Sequence, residues 1–199
     1  MRRPRAFAGL VMVMTPTLLA ACSDSPAPTE SARVTLPASA LASQGPKHVG
    51  AIVAHDSCEP DSFNAAVGEG TCINPGRTTF DEFIGELAAT QTVQSWKFSP
   101  LDATAQRGKD MLAVNVGGEE HTFTPVRQFG GGFIDILNQL SGNPVPAPEC
   151  LNIPGLDFVE GGEKSLISGA ALAAVAGPNG IARVECCIHP WMRTEVQLK

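Results

Sequence analysis

Residues 185–199 read ECCIHPWMRTEVQLK, and they constrain the fold more than any other stretch of the chain. Thr194, Val196 and Leu198 alternate with Arg193, Glu195, Gln197 and Lys199. A period of two makes this a strand with one packed and one solvated face. Just before it, Cys186, Cys187, His189 and Met192 crowd a short stretch that Pro190 interrupts. One tight loop between two strands can turn Cys186, His189 and Met192 toward a single point. The carboxyl-terminal part must therefore be a sheet whose end carries a cluster of sulfur and imidazole donors.

Other segments share the strand character: SWKFSP, DMLAVNV, EHTFTPV, EKSLIS and IARVECC. With 20 glycines and 16 prolines and no helical heptads, the chain reads as mainly β, with many turns. One helix stands out. In TTFDEFIGELAAT, Thr79 and Glu82 have capping-box spacing, and Phe80, Phe83, Ile84 and Leu87 share a helical face, which predicts an amphipathic helix near 79–91. A helical turn is expected at 133–140, and GAALAAVAGPNG reads as a short helix or a buried strand ending at Pro178-Asn179-Gly180. At 199 residues there is room for one ordinary domain plus a leader and a linker. A net charge of −6 with no basic patch excludes nucleic acid as a partner.

The amino terminus has the form of an export signal over 1–21: Arg2, Arg3 and Arg5 precede the apolar stretch AFAGLVMVMTPTLLA. Leu19-Ala20-Ala21-Cys22 resembles the lipobox of bacterial lipoproteins, in which the cysteine is lipidated and anchors the chain to membrane; the alternative is an ordinary signal with Cys22 incidental. This resemblance implies an exported lipoprotein on a periplasm-facing membrane surface, and Ser23 after Cys22 favours the outer membrane. Residues 22–47, rich in Ser, Ala and Pro, bury too little apolar surface to fold and read as a flexible tether. Of the six cysteines, assigning Cys22 to lipid leaves five, an odd number in an oxidising compartment. Cys58 and Cys72 bracket a turn-rich loop and form the preferred disulfide.

A thiolate, two imidazoles and a thioether are the donors of a blue-copper centre, with two His and one Cys near a plane and Met on a long axial bond. Zinc more often takes a second thiolate or a carboxylate, and iron–sulfur clusters need more cysteines. The second imidazole is nominated at His121, after the Gly-Gly turn in GGEEHTFTPV, while His48 and His55 read as tether-edge or surface residues.

VNVGGEEHTFTPV followed by CCIHPWMRTEVQL resembles the cupredoxins, the plastocyanin, pseudoazurin and amicyanin group, with a loop most similar to the amicyanin type. WKFSPLDATAQRGKDM is similar to their early strands. The resemblance covers about 95–199. It implies a Greek-key β-sandwich holding one type 1 copper through His121, Cys186, His189 and Met192, with 48–94 as an amino-terminal extension that the minimal fold lacks. It further implies a carrier of single electrons for a redox protein partner, not an enzyme, with His189 reaching the surface through an apolar patch that includes Pro190 and Trp191. Asn115 and Thr122 are the expected supports around the ligands. A copper store or chaperone, or a metal-free interaction domain, are the competing readings; copper enzymes need more than the four histidines present.

The resemblance assigns the thiolate to Cys186. Alternation agrees, since Val184 and Cys186 point one way while Arg183, Glu185 and Cys187 point the other, and charged side chains are expected to face away from a core. Cys187 is then available to pair with Cys150.

Overall fold

The computed structural model describes residues 50–199. The signal at 1–21, Cys22, the tether at 22–47 and His48 lie outside the described residues.

Ten strands run in chain order: β1 (Ala51–His55), β2 (Lys97–Ser99), β3 (Asp102–Ala105), β4 (Met111–Asn115), β5 (His121–Thr122), β6 (Thr124–Val126), β7 (Phe158–Val159), β8 (Lys164–Ile167), β9 (Ile181–Glu185) and β10 (Arg193–Leu198). They form two four-stranded sheets, ordered β2-β1-β4-β8 and β3-β10-β9-β6, with β5 and β7 as a separate short ladder. Both sheets are mixed: β1 lies parallel to β4 and β10 parallel to β3, and the other pairings are antiparallel. In β10 the alternation holds, with Thr194, Val196 and Leu198 buried. Val196 and Leu198 join Ala103, Ala105, Ala182 and Val184 of their own sheet, and Ile52, Ala54, Phe98, Met111 and Ala113 of the other, in one core. Each large side chain taken out of water here contributes about 1.5–3 kcal/mol. The result is a mainly β, cupredoxin-like sandwich.

The boundary expected at 94/95 does not separate the sandwich from an extension. β1 sits inside the first sheet, antiparallel to β2 and parallel to β4. Its own alternation, with Ile52 and Ala54 fully buried, makes it a core strand. Only 56–94 is an excursion, and it carries two helices, α1 (Pro60–Ala66) and α2 (Phe80–Thr90). The second is the predicted one: the Thr79 hydroxyl accepts from the Glu82 N–H at 3.3 Å while the Glu82 carboxylate accepts from the Thr79 N–H at 2.9 Å. Phe83 and Leu87 are its buried residues. α1 has Phe63 as its one buried anchor, too little for a periodic signal, and starts because Glu59 accepts from the N–H groups of Asp61 and Ser62.

Cys58 and Cys72 are bonded across a sequence separation of 14 and close the excursion around α1. Replacing both with Ala is expected to lower stability by about 3 kcal/mol through the freed unfolded chain. A denaturant midpoint that does not move would show that this loop is held by its other contacts.

GAALAAVAGPNG contains the helix α4 (Gly169–Val175), capped by Ser168, and the turn expected at 133–140 is the helix α3 (Asp135–Leu140). Around α3, residues 127–157 lie against the second sheet. Phe129, Phe133 and Leu156 pack on Val126, Ala147, Cys150 and Cys187, and Cys150 is bonded to Cys187. The face of β9 expected to be solvated is thus covered, and Glu185 is fully buried with Cys187. Its carboxylate accepts from the Gly130 N–H at 3.1 Å and lies 3.7 Å from the Arg193 guanidinium; burial nevertheless pushes its pKa up to about 8. Cys186 and Cys187 do point to opposite sides, but toward two buried clusters rather than toward core and solvent.

Candidate metal centre

Four chain segments meet at the end of the sandwich. β9 delivers Cys186, the loop after it holds His189 and Met192, and β10 leaves directly. The Cys186 N–H donates to the Met192 carbonyl at 3.1 Å and the Met192 N–H to the His189 carbonyl at 2.9 Å, so the loop is closed by its own backbone. His121 enters from β5, which β7 pairs through His121 and Val159. Thr122 ties the two parts together: its N–H faces the Cys186 sulfur at 3.5 Å and its hydroxyl accepts from the Cys187 N–H at 2.8 Å.

Cys186 is the one free cysteine among the described residues, and it is buried. Its Sγ lies 3.7 Å from His121 Nδ1 and 3.8 Å from His189 Nδ1. One donor atom from each of the three residues falls within 4.8 Å of the other two. Donors at about 2.0–2.3 Å from a common ion and spread about 120° apart would be separated by nearly these distances, so the three fit one ion. Met192 is fully buried in the same loop. His55 is not part of the cluster.

Both imidazoles are backed by carboxylates at their remote nitrogens. His121 Nε2 is 2.9 Å from Asp56 Oδ2, and His189 Nε2 is 3.5 Å from Glu119 Oε2. Asp56 also accepts from the N–H groups of Gly118, Glu119 and Cys58. Burial would raise the Asp56 pKa, but the hydrogen bond and charge of His121 and the N–H groups of Gly118 and Cys58 hold it below the usual carboxylate range. Burial alone would likewise lower the His121 pKa; hydrogen bonds to Asp56 and Cys186 push it up to about 10 instead. The Cys186 thiol, which burial would raise, is held well below its ordinary value by His121 and His189. Both imidazoles thus favour the ionised form of Cys186, the form in which a thiol binds metal. Burial pushes the Glu119 pKa up, while its carboxylate also accepts the Trp96 indole N–H at 2.5 Å.

The turn from β4 to β5 explains how these groups come so close. The Asn115 side chain donates to the carbonyls of Glu119 and Val159 and accepts from the Gly117 N–H. A Cβ at Gly117 would lie 1.8 Å from Asp56 Oδ2, so only glycine lets Asp56 reach the turn. Asn115 thus organises the turn, and Thr122 bridges the segments that carry His121 and Cys186.

The structure differs from expectation at His189. It is only 2% exposed. Phe83 of α2 and Trp191 lie edge-on to it at 6.1 and 5.4 Å between ring centroids. The excursion at 56–94 is the reason, since Phe83 packs edge-on to Phe63 and tilted against Trp96 in a lid of aromatic rings. A groove lined by Phe63, Phe80, Ile84, Ile134 and Ile188 still leads to His189 and Glu119.

A sandwich end that gathers a buried cysteine sulfur and two imidazole Nδ1 atoms, with a methionine in the same loop, matches the pattern that the resemblance implies. The domain is cupredoxin-like. Among solved structures the chain is similar to a purple cupredoxin from Nitrosopumilus maritimus, at 11% identity over 75% of this chain and 99% of that one, with a TM-score of 0.37. It is also similar to a dithionite-reduced auracyanin from the photosynthetic bacterium Roseiflexus castenholzii, at 14% identity over 52% of this chain and 87% of that one, with a TM-score of 0.29. No family model and no curated protein matches the chain.

Sequence reasoning did not find Asp56, Glu119, Trp96 or Phe83. Asp56 directly follows the alternating strand AIVAH, and Glu119 precedes His121 by two residues in the turn. A buried imidazole needs a partner for its remote nitrogen, and that need was the available signal.

Proposed function

We propose that this cupredoxin-like protein is a type 1 copper electron carrier of the cell envelope. It would be exported and anchored through lipid on Cys22 to a periplasm-facing membrane, and would exchange single electrons with a redox protein partner. The observation that carries this reading is the buried Cys186 sulfur with imidazole nitrogens at 3.7 and 3.8 Å. His121 Nδ1, Cys186 Sγ and His189 Nδ1 would hold one copper, with Met192 from the same loop offering a weaker, soft sulfur donor. Copper supplies the one-electron couple when bound.

The chain's own residues supply the rest. Burial keeps water from the donors, and the soft Cys186 sulfur suits the reduced ion. The hydrogen bonds within the loop and through Thr122 fix the donors in one arrangement, so little needs to move when the charge changes. That rigidity, with a disulfide on either side of the site, favours a carrier over a store or chaperone that must release its ion. A partner would approach His189 along the groove beside Phe80 and Ile134.

The test is the visible and electron paramagnetic resonance spectrum of the exported chain, with Cys22→Ser for solubility, after one equivalent of Cu(II). An intense thiolate-to-copper band, bleached by one electron per protein, is the expected result. Absence of that band would sink the electron-carrier reading.

A further inference from the structure

We propose that Asp56 and Glu119 are positioning residues that bias the site toward its oxidised, more highly charged ion, one carboxylate acting through each imidazole. The inference rests on the copper reading above and goes beyond its ligand set.

The geometry is specific. Nδ1 of each histidine faces the Cys186 sulfur, while Nε2 of each faces a carboxylate, at 2.9 Å for Asp56 and 3.5 Å for Glu119. An imidazole that binds metal through Nδ1 carries its proton on Nε2, and a carboxylate there fixes that tautomer and makes the ring a stronger donor. The Asp56 carboxylate is also a charge in a place where water screens little, for the Asp56 and His121 side chains are fully buried. A fixed negative charge favours Cu(II) over Cu(I). The couple takes up one electron, with no bond made or broken in the protein, so the bias falls directly on the reduction potential.

Neither carboxylate is at its position for packing alone. Asp56 lies beyond the end of β1 and is the acceptor on which three backbone N–H groups and His121 converge. Gly117 leaves no Cβ where Asp56 Oδ2 sits. Glu119 is held by the Trp96 indole and aimed at His189 from the opposite side.

Asp56→Asn and Glu119→Gln keep the side-chain shapes and remove the carboxylates that face the two Nε2 atoms. Each is expected to weaken Cu(II) binding at least tenfold more than Cu(I) binding, Asp56→Asn the more strongly. For a one-electron couple, every tenfold change in that ratio raises the potential by 59 mV. Potentials would be read by spectroelectrochemistry, and Cu(I) affinity by competition with a chromophoric chelator. A purely structural role would weaken both oxidation states alike and leave the potential where it was. Cobalt(II) affinity, which uses the same imidazoles and needs no copper chromophore, is expected to fall about tenfold in each variant. Should Asp56→Asn fail to fold, Glu119→Gln carries the same test. A folded variant with unchanged potential and unchanged cobalt affinity overturns the inference. Failure of the copper reading is a separate result, the missing thiolate-to-copper band in the unaltered protein, and the cobalt measurement still decides the role of the carboxylates.

Discussion

Cys186→Ser is expected to abolish the thiolate-to-copper band completely, whereas Cys187→Ser, one residue along, keeps the band and loses stability instead. The two neighbours do different work because a strand sends consecutive side chains to opposite faces. Cys186 enters the buried cluster with His121 and His189, where a serine hydroxyl would offer neither the charge nor the soft sulfur that the site requires. Cys187 enters the second cluster and is bonded to Cys150 across a sequence separation of 37. Opening a loop of that length costs about 4 kcal/mol in the chain-entropy picture. Because Cys187→Ser leaves a free thiol at Cys150, the cleaner comparison is Cys150→Ala with Cys187→Ala. Absorption after copper loading and a guanidinium unfolding curve, on each variant, separate the two effects. A band that survived Cys186→Ser would place the ligand elsewhere and refute the site; an unfolding midpoint unmoved by the double change would mean that the cover at 127–157 holds without its disulfide.

The same pair shows what a sequence can and cannot disclose. The donors Cys186, His189 and Met192 lie on one local loop, and the alternation of β10 is local too, so both were legible. The capping box of α2 was legible for the same reason. His121 could be nominated because histidines are few and this one follows a Gly-Gly turn at a strand start. Asp56 was not, because its meeting with His121 depends on β1 lying beside β4, a pairing of strands separated by the whole 56–94 excursion. Alternation sent Cys186 and Cys187 to opposite faces, as they are placed, on a premise that fails: Glu185 is not solvated but buried under 127–157. A charged residue in a strand signals a second face, and only the tertiary fold says whether that face meets water or a polar, hydrogen-bonded interior. The apolar exit expected for His189 failed in the converse way, since the resemblance covered the sandwich and carried nothing about the helix that closes over it.

Phe83→Ala is expected to lower stability by about 3–5 kcal/mol while leaving the copper band in place. The ring is 2% exposed and lies at the centre of an aromatic group, with centroids 5.5 Å from Phe63, 4.8 Å from Trp96, 5.9 Å from Trp191 and 6.1 Å from His189. Truncation leaves a cavity that these flat, mutually wedged rings cannot collapse to fill. His189 should nevertheless keep its place, for its backbone is bonded within the ligand loop and its Nε2 is faced by Glu119, neither of which involves α2. What changes is access. With the lid opened, electron exchange between the reduced protein and a small one-electron oxidant such as ferricyanide should become faster than in the unaltered protein, and stopped-flow mixing would read it. If stability falls and the rate does not rise, Phe83 is a core residue only, and electrons reach the site by another face. Loss of the band would instead show that α2 holds His189 in position, which would make the 56–94 excursion part of the metal centre rather than its cover.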